Sequence, residues 1–303
     1  MGWIANQWRN GAKISRSIAL WENFVFEIRR DEDVAILRLT ELSRRTAEDI
    51  HAELQILAAL HQQGQAVCRA VPFVSGDLVL PFRQEGCAIN ACVFERILGN
   101  QVQAGDILAD RSLIRAWGAL VGRFHRALAQ CDLRRNARPH WTANPLIRER
   151  CADADDDCYH TILRECVQTL STTGLECDFG IVHADLHGRN VLQARNGNLA
   201  IIDFDDCCYH WLAYDVAVSL IWLFRSGGDY ELVRAELLEG YHTQWNLSHT
   251  ALSLLDHLSF LRNALDYKLT IQRSQIRQVS GPLIYRASFI KETLKWQLQH
   301  VLQ

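Results

Sequence analysis

No apolar run in this chain reaches the ~18 residues that a membrane-spanning helix requires. The opening stretch MGWIANQWRNGAKISRS lacks the apolar core of a secretory leader, and Asn6 stands where a myristoylation signal needs Ser or Thr. Basic residues are not in excess. With 32 Lys+Arg against 35 Asp+Glu the formal net charge is −3, which gives no electrostatic footing on a nucleic-acid backbone. Ten cysteines are present, yet no C-x-x-C pair and none of the Cys/His spacing of a zinc site occur. Repeats, low-complexity tracts and a G-x-G-x-x-G phosphate loop are also missing. These absences predict a cytoplasmic chain with reduced thiols and neither a nucleic-acid nor a membrane partner. They leave its oligomeric state open.

What is present is enough apolar material, 49% of 303 residues, for two domains or one two-lobed domain. The chain is organised around IVHADLHGRNVLQARNGNLAIIDFDDCCYHWLAYD, residues 181–215. This stretch reads as a strand, a polar loop, a hairpin turning at Asn196-Gly197-Asn198, and an acidic loop that leads into a helix. The hairpin is expected to bring Asp185, Asn190 and Asp203 to one rim. Phosphoryl transfer from a nucleotide needs such a set. One carboxylate takes the proton of the acceptor hydroxyl, while an amide and a second carboxylate hold magnesium on the phosphates. The D-x-x-x-x-N spacing followed by a strand-borne Asp fits that template.

H-A-D-L-H-G-R-N-V-L, followed by I-I-D-F-D-D and then Y-D-V-A, resembles the aminoglycoside phosphotransferase and choline kinase family. Within it, the branch of homoserine-kinase-like proteins and stress-response kinases is most similar. The resemblance implies an α+β, bilobal protein-kinase-like fold, with a small antiparallel-sheet N-lobe, a larger and mainly helical C-lobe, and ATP with Mg2+ as cofactors. It makes Asp185 the catalytic base, Asn190 and Asp203 the metal ligands, and Asp215 the residue that ties the catalytic loop down. His187, the second catalytic candidate, stands where protein kinases carry a lysine two residues after the Asp and either touches the γ-phosphate or orders the loop, and His183 is a brace. Asp205 is a candidate for orienting the acceptor or holding a second metal. Two departures from the family pattern are Ala184 for a common Gly and Cys207-Cys208 after Asp206. The vicinal thiols, with only His210 near, read as structural rather than as a metal site.

The remaining expectations follow the chain in order. Residues 1–20 read as a polar lead-in, with Trp3 and Trp8 packed on the first strands. Phe24, Phe26 and Ile28 alternate as a half-buried strand does, and VAILRLT pairs with it. By resemblance, Glu22-Asn23 precedes the strand that covers the phosphates, with backbone amides near Asn23 in that role. Arg38 stands where kinases place a lysine on the phosphates, and an arginine keeps both the charge and a bidentate fork. Thr46 and Asp49 form a capping box for a helix carrying Glu53, which by resemblance is the partner of Arg38. Residues 66–97 read as three strands. In the family a strand ending in an acid is the adenine hinge, which places Glu95 and Ile97 at the nucleotide and the lobe boundary between 1–97 and 98–303.

Beyond the hinge, Leu113, Trp117, Leu120, Val121, Phe124 and Leu128 form a helical stripe, with His125 as a packed, hydrogen-bonded residue. Asp153 and Asp155 to Asp157 lack the Gly and distant Glu of a calcium loop; they read either as an acid-rich helix start or as attraction for a cationic substrate. Later helices wall the acceptor pocket by resemblance, making His257, Asn263, Tyr267 and Lys268 candidate contacts. The favoured reading is a kinase of a small-molecule hydroxyl, on an amino-alcohol, aminoglycoside or homoserine-like acceptor. The alternatives are a stress-response type of protein Ser/Thr kinase and a non-catalytic nucleotide-binding module.

Overall fold

The computed structural model describes residues 2–20, 23–133, 136–148, 157–173, 178–277 and 282–301. Its strands are β1 Lys13–Leu20, β2 Phe24–Arg30, β3 Asp33–Glu41, β4 Ala70–Val71, β5 Leu80–Gln84, β6 Cys87–Glu95, β7 Asn100–Gln101, β8 Phe179–Val182, β9 Val191–Gln193, β10 Leu199–Ile201 and β11 Cys208–Trp211. Its helices are α1 Gly2–Trp8, α2 Ala47–Gln62, α3 Ala104–Leu108, α4 Arg111–Ala129, α5 Pro145–Arg148, α6 Asp157–Thr172, α7 Ala213–Arg225, α8 Tyr230–His242, α9 His249–Ser253, α10 Leu255–Arg277 and α11 Pro282–His300. Two compact units divide the chain: 1–102 with 127–138 and 189–205, and 103–126 with 139–188 and 206–303. No helix among the described residues is long and apolar enough to cross a membrane.

The first unit is built on an antiparallel sheet of order β1-β2-β3-β6-β4, with β5 also paired to β6. Period-two alternation sends Phe26 and Ile28, Leu37 and Leu39, and Ala91 and Val93 into one apolar cluster with Ile4, Ala5 and Trp8 of α1. The same alternation turns Arg38 and Thr40 to the other face of β3, where both are buried. The capping box of Thr46 and Asp49 fixes the start of α2, whose buried face includes Ile50, Glu53, Leu54 and Leu57. Three boundaries differ from the sequence reading. Residues 2–20 form α1 and β1; β1 pairs with β2 through two register shifts, which blur its alternation in the sequence. Ala70–Val71 is a two-residue strand within the 66–97 stretch, and the helical stretch 249–277 is interrupted at Leu254, a position with neither Gly nor Pro to announce it.

The second unit is mainly helical, with α10 packed on α11, α7 and α6, and it also holds the two-stranded ladder of β8 and β11. Small residues let α4 and α8 approach at backbone contact. A Cβ on Gly118 would lie 2.1 Å from the Leu237 carbonyl oxygen, and one on Gly240 would lie 1.9 Å from that of Arg115. This closeness brings His125 of α4 to Tyr241 of α8, with Nδ1 2.8 Å from the phenol oxygen. Helix α7 is apolar nearly all round and buried, as a central helix must be.

Candidate active site

The second unit holds the loop expected to be catalytic. Strand β8 delivers His183-Ala184-Asp185, and the buried Asp215 in the first turn of α7 receives the loop. Its carboxylate accepts the backbone N–H of His183 at Oδ2 and that of Ala184 at Oδ1, both at 2.8 Å. His125 Nε2 adds a 3.0 Å contact to Oδ2. One helical turn on, Ser219 donates to the Leu186 carbonyl at 3.1 Å and accepts from Trp117 Nε1 at 2.9 Å. Burial alone would raise the Asp215 carboxyl. The His125 hydrogen bond and charge, with the His183 amide, outweigh it and keep the group below the ordinary aspartate value. Ala184 sits at φ +66°, the left-handed region that glycine enters freely, at the position where the family commonly has Gly.

Asp185 is partly exposed, with 24% of its side chain accessible. Its Oδ1 lies 2.7 Å from Arg262 Nη2, and its Oδ2 lies 3.4 Å from His187 Nε2. Burial would raise its carboxyl, but the Arg262 guanidinium and then His187 hold it well below the usual carboxylate range. His183 is fully buried and accepts the Asp185 backbone N–H at Nδ1, 3.3 Å away. Arg262 is the residue that sequence reasoning missed. Its available signal was a guanidinium inside the apolar run of α10 with Asp266 at i+4, a pair that forms at 3.1 Å.

The first unit holds the expected nucleotide-side residues. Arg38 and Glu53 meet in a two-point fork, Nη1 to Oε1 at 2.8 Å and Nη2 to Oε2 at 2.6 Å, with both residues at least 95% buried. Arg38 also lies over the Phe94 ring. Replacing Glu53 with Gln keeps the shape but removes the charge facing a buried guanidinium. We expect Glu53→Gln to lower unfolding free energy by about 1.5–3 kcal/mol, measured by urea titration. A variant as stable as the parent would show that the pair carries no net energy.

Asn190 and Asp203 end the two arms of the β9–β10 hairpin. Its register pairs Val191 with Ile201, and Ile202 N–H donates to the Asn190 carbonyl at 2.9 Å. Asn190 and Asp203 therefore stand at the same end of the hairpin. Asp203 is exposed and adopts φ +65°, an uncommon backbone state for an aspartate at a strand end. One amide oxygen and one carboxylate suit a hard divalent cation that completes its shell on phosphate oxygens and water. Among the described residues no group of three or more His, Cys, Asp or Glu is placed to hold a metal ion by itself. Burial pushes the thiols of Cys68, Cys92 and Cys166 up to about 12, so they stay protonated. His210, beside Cys207-Cys208, is stacked on Tyr214 at 4.1 Å and lowered to about 3 by burial.

Asp205 and Asn23 are engaged within the first unit. The Asp205 carboxylate receives Arg44, Arg45 Nε at 3.3 Å and Asn23 Nδ2 at 3.2 Å, while Arg45 and Arg138 reach its carbonyl. Asn23 also accepts from Thr40 at 2.7 Å. Glu22 lies outside the described residues. Glu95 ends β6 and pairs with Arg69, and residues 96–99, Ile97 included, form no ladder. Of the acceptor candidates, Asn263 is fully buried against Gln297 at 2.9 Å, and Lys268 donates to the Leu146 carbonyl at 2.7 Å. The acidic run 153–156 lies outside the described residues; the backbone of Asp157 opens α6.

A family model described as "Phosphotransferase enzyme family" matches residues 16–252. The amicoumacin kinase of Bacillus subtilis is 24% identical over 283 residues, 87% of this chain and 82% of that kinase. The homoserine kinase of Nitrobacter winogradskyi is 32% identical over 182 residues, which span 56% of each chain. Among solved structures, amicoumacin kinase hAmiN in complex with AMP-PNP, Ca2+ and Ami superimposes with TM-score 0.80 at 26% identity, covering 92% of this chain and 87% of that one. A microcompartment-associated aminopropanol kinase superimposes with TM-score 0.78 at 18% identity, over 99% and 96% of the two chains. The fold is that of these kinases, with an antiparallel sheet in the N-terminal part and helices in the C-terminal part.

Proposed function

The chain belongs to the phosphotransferase enzyme family, and from that premise we propose that it moves the γ-phosphate of ATP, with Mg2+, to a hydroxyl of a small amino-alcohol in the cytoplasm. The observation that carries this reading is Asp185 at the tip of a loop whose backbone N–H groups are tied to Asp215. Asp185 takes the proton of the acceptor hydroxyl. Positioning does most of the work in a loose transition state, so a carboxylate of low pKa is an adequate base. Asn190 and Asp203 would hold the cation, which would neutralise charge on the phosphates. Arg38, fixed by Glu53, supplies a permanent positive charge to the phosphates. His187 orders the loop beside Asp185, and the backbone of Glu95 to Ile97 receives the adenine.

Aminopropanol and homoserine, named for relatives, each carry a hydroxyl and an amine. The test is a panel of L-homoserine, 1-amino-2-propanol, ethanolamine, choline and amicoumacin with ATP. ADP release and the phosphorylated product are followed by coupled assay and mass spectrometry. We expect transfer to at least one member, abolished by EDTA and restored by Mg2+. A thermal shift with ATP that ignores Mg2+, with no transfer to any acceptor, would refute the reading.

A further inference from the structure

Beside the buried Tyr214 phenol, the Arg262 guanidinium makes three further contacts, all inside the second unit. Nη1 donates to the Ala184 carbonyl at 2.9 Å, and Nη2 faces Asp185 Oδ1 at 2.7 Å and Asp266 Oδ1 at 3.1 Å. Asp266 is in turn held by Arg225 of α7, Nη1 to Oδ2 at 2.6 Å. The four side chains alternate in sign, Arg225, Asp266, Arg262, Asp185, and each is at least three-quarters buried. Partial burial strengthens each pair, and Asp266, itself held by Arg225 of α7, restricts the rotamers of Arg262. A planar fork with fixed N–H directions fixes the carboxylate plane opposite it, which a point-like ammonium would not.

We propose that Arg262 is a positioning residue for the Asp185 carboxylate, itself aligned by Asp266 and Arg225, so that the carboxylate plane is set before the acceptor hydroxyl arrives. The inference rests on Asp185 being the base. By holding the Ala184 carbonyl and the Asp185 side chain together, Arg262 removes the freedom of the carboxylate to turn about its own side-chain bonds. The Asp215 clasp fixes the loop backbone, and Arg262 fixes the side chain that the backbone carries. Misplacement of a reacting group by about 1 Å can cost about 10²-fold in rate.

The experiment measures kcat and the KM for ATP, with Mg2+ and L-homoserine or 1-amino-2-propanol as acceptor, and ADP release to water with neither. Arg262→Gln is expected to lower kcat about 10²-fold with the KM for ATP within about twofold. Arg262→Lys is expected to recover part of that loss, because one ammonium restores charge without the fork. Arg225→Gln, which leaves Asp185 untouched, is expected to lower kcat several-fold in the same pattern. It keeps the inference testable if Arg262→Gln fails to fold. An ion pair that merely docked α10 would change kcat and KM together, or neither. A kcat within twofold of the parent in Arg262→Gln or Arg225→Gln, where Asp185→Asn is inactive, overturns the inference. An Asp185→Asn enzyme as active as the parent overturns the base assignment instead.

Discussion

Asp185→Asn is expected to lose about 10²–10⁴-fold in transfer from ATP to the acceptor while its melting temperature stays within a few degrees of the parent. The activity loss follows from chemistry: an amide cannot take the hydroxyl proton, although it occupies the same volume. The small stability change follows from the surroundings. Asp185 is partly exposed, Asn keeps an oxygen for Arg262 Nη2, and Arg262 keeps the Ala184 carbonyl and Asp266. The pH profile gives a second reading. With burial raising it but Arg262 and His187 prevailing, the parent carboxyl stays ionised below the ordinary aspartate value of about 3.9. A base of that kind loses activity only when pH falls through its depressed pKa. Its titration should therefore not appear as an acid limb of kcat between pH 5 and 8. Such a limb assigned to Asp185, or an Asn variant that turns over normally, would remove it from the base role.

Legibility in the sequence followed sequence separation. The β9–β10 hairpin is announced by Asn196-Gly197-Asn198, and Gly197 indeed takes φ +82°. The start of α2 is announced by Thr46 and Asp49, whose reciprocal hydrogen bonds close within four residues. Arg38 and Glu53 are 15 residues apart, on a strand and the helix that follows it, and the family resemblance named the pair where periodicity alone left Glu53 at the edge of the apolar stripe. Arg262 and Asp185 are 77 residues apart, and the local mark of the guanidinium, Asp266 at i+4 in an apolar run, does not name the loop as its other partner. Asp205 is similar: an acid after a strand reads as reactive, yet Arg44, Arg45 and Asn23 converge on it from far upstream. The sequence separation of those partners, 160 to 182 residues, is what hides the clasp. At β1 the obstacle is different. Its register shifts break the alternation that would have exposed it as a strand.

Asp215→Ala is expected to be the most destabilising single substitution considered, by about 3–5 kcal/mol, and to abolish transfer as well. The carboxylate is fully buried and satisfies two backbone N–H groups that have no water to turn to. Removing it strands the His183 and Ala184 amides, each a desolvated donor costing about 1–3 kcal/mol, and unpairs His125 Nε2. For a chain of this size the loss corresponds to a fall in Tm of roughly 5–8 °C. The sign with pH is fixed by the depressed carboxyl. Burial raises it, but the His125 contact and the loop amides win, so the folded state binds the proton less readily than the unfolded chain. The stabilisation is therefore complete above the unfolded value of about 3.9 and disappears as pH falls through the lower folded value. Differential scanning calorimetry of parent and variant should show a Tm gap that is constant from pH 8 to 5 and closes only in stronger acid. Asp215→Asn separates the two roles. Its one oxygen can keep one of the two amides, so it should recover part of the Tm. Transfer should recover less, because Ala184 at positive φ needs its N–H held to keep Asp185 in place. A variant with parental Tm and parental rate would mean that the loop is held by the chain's own conformation and not by this carboxylate.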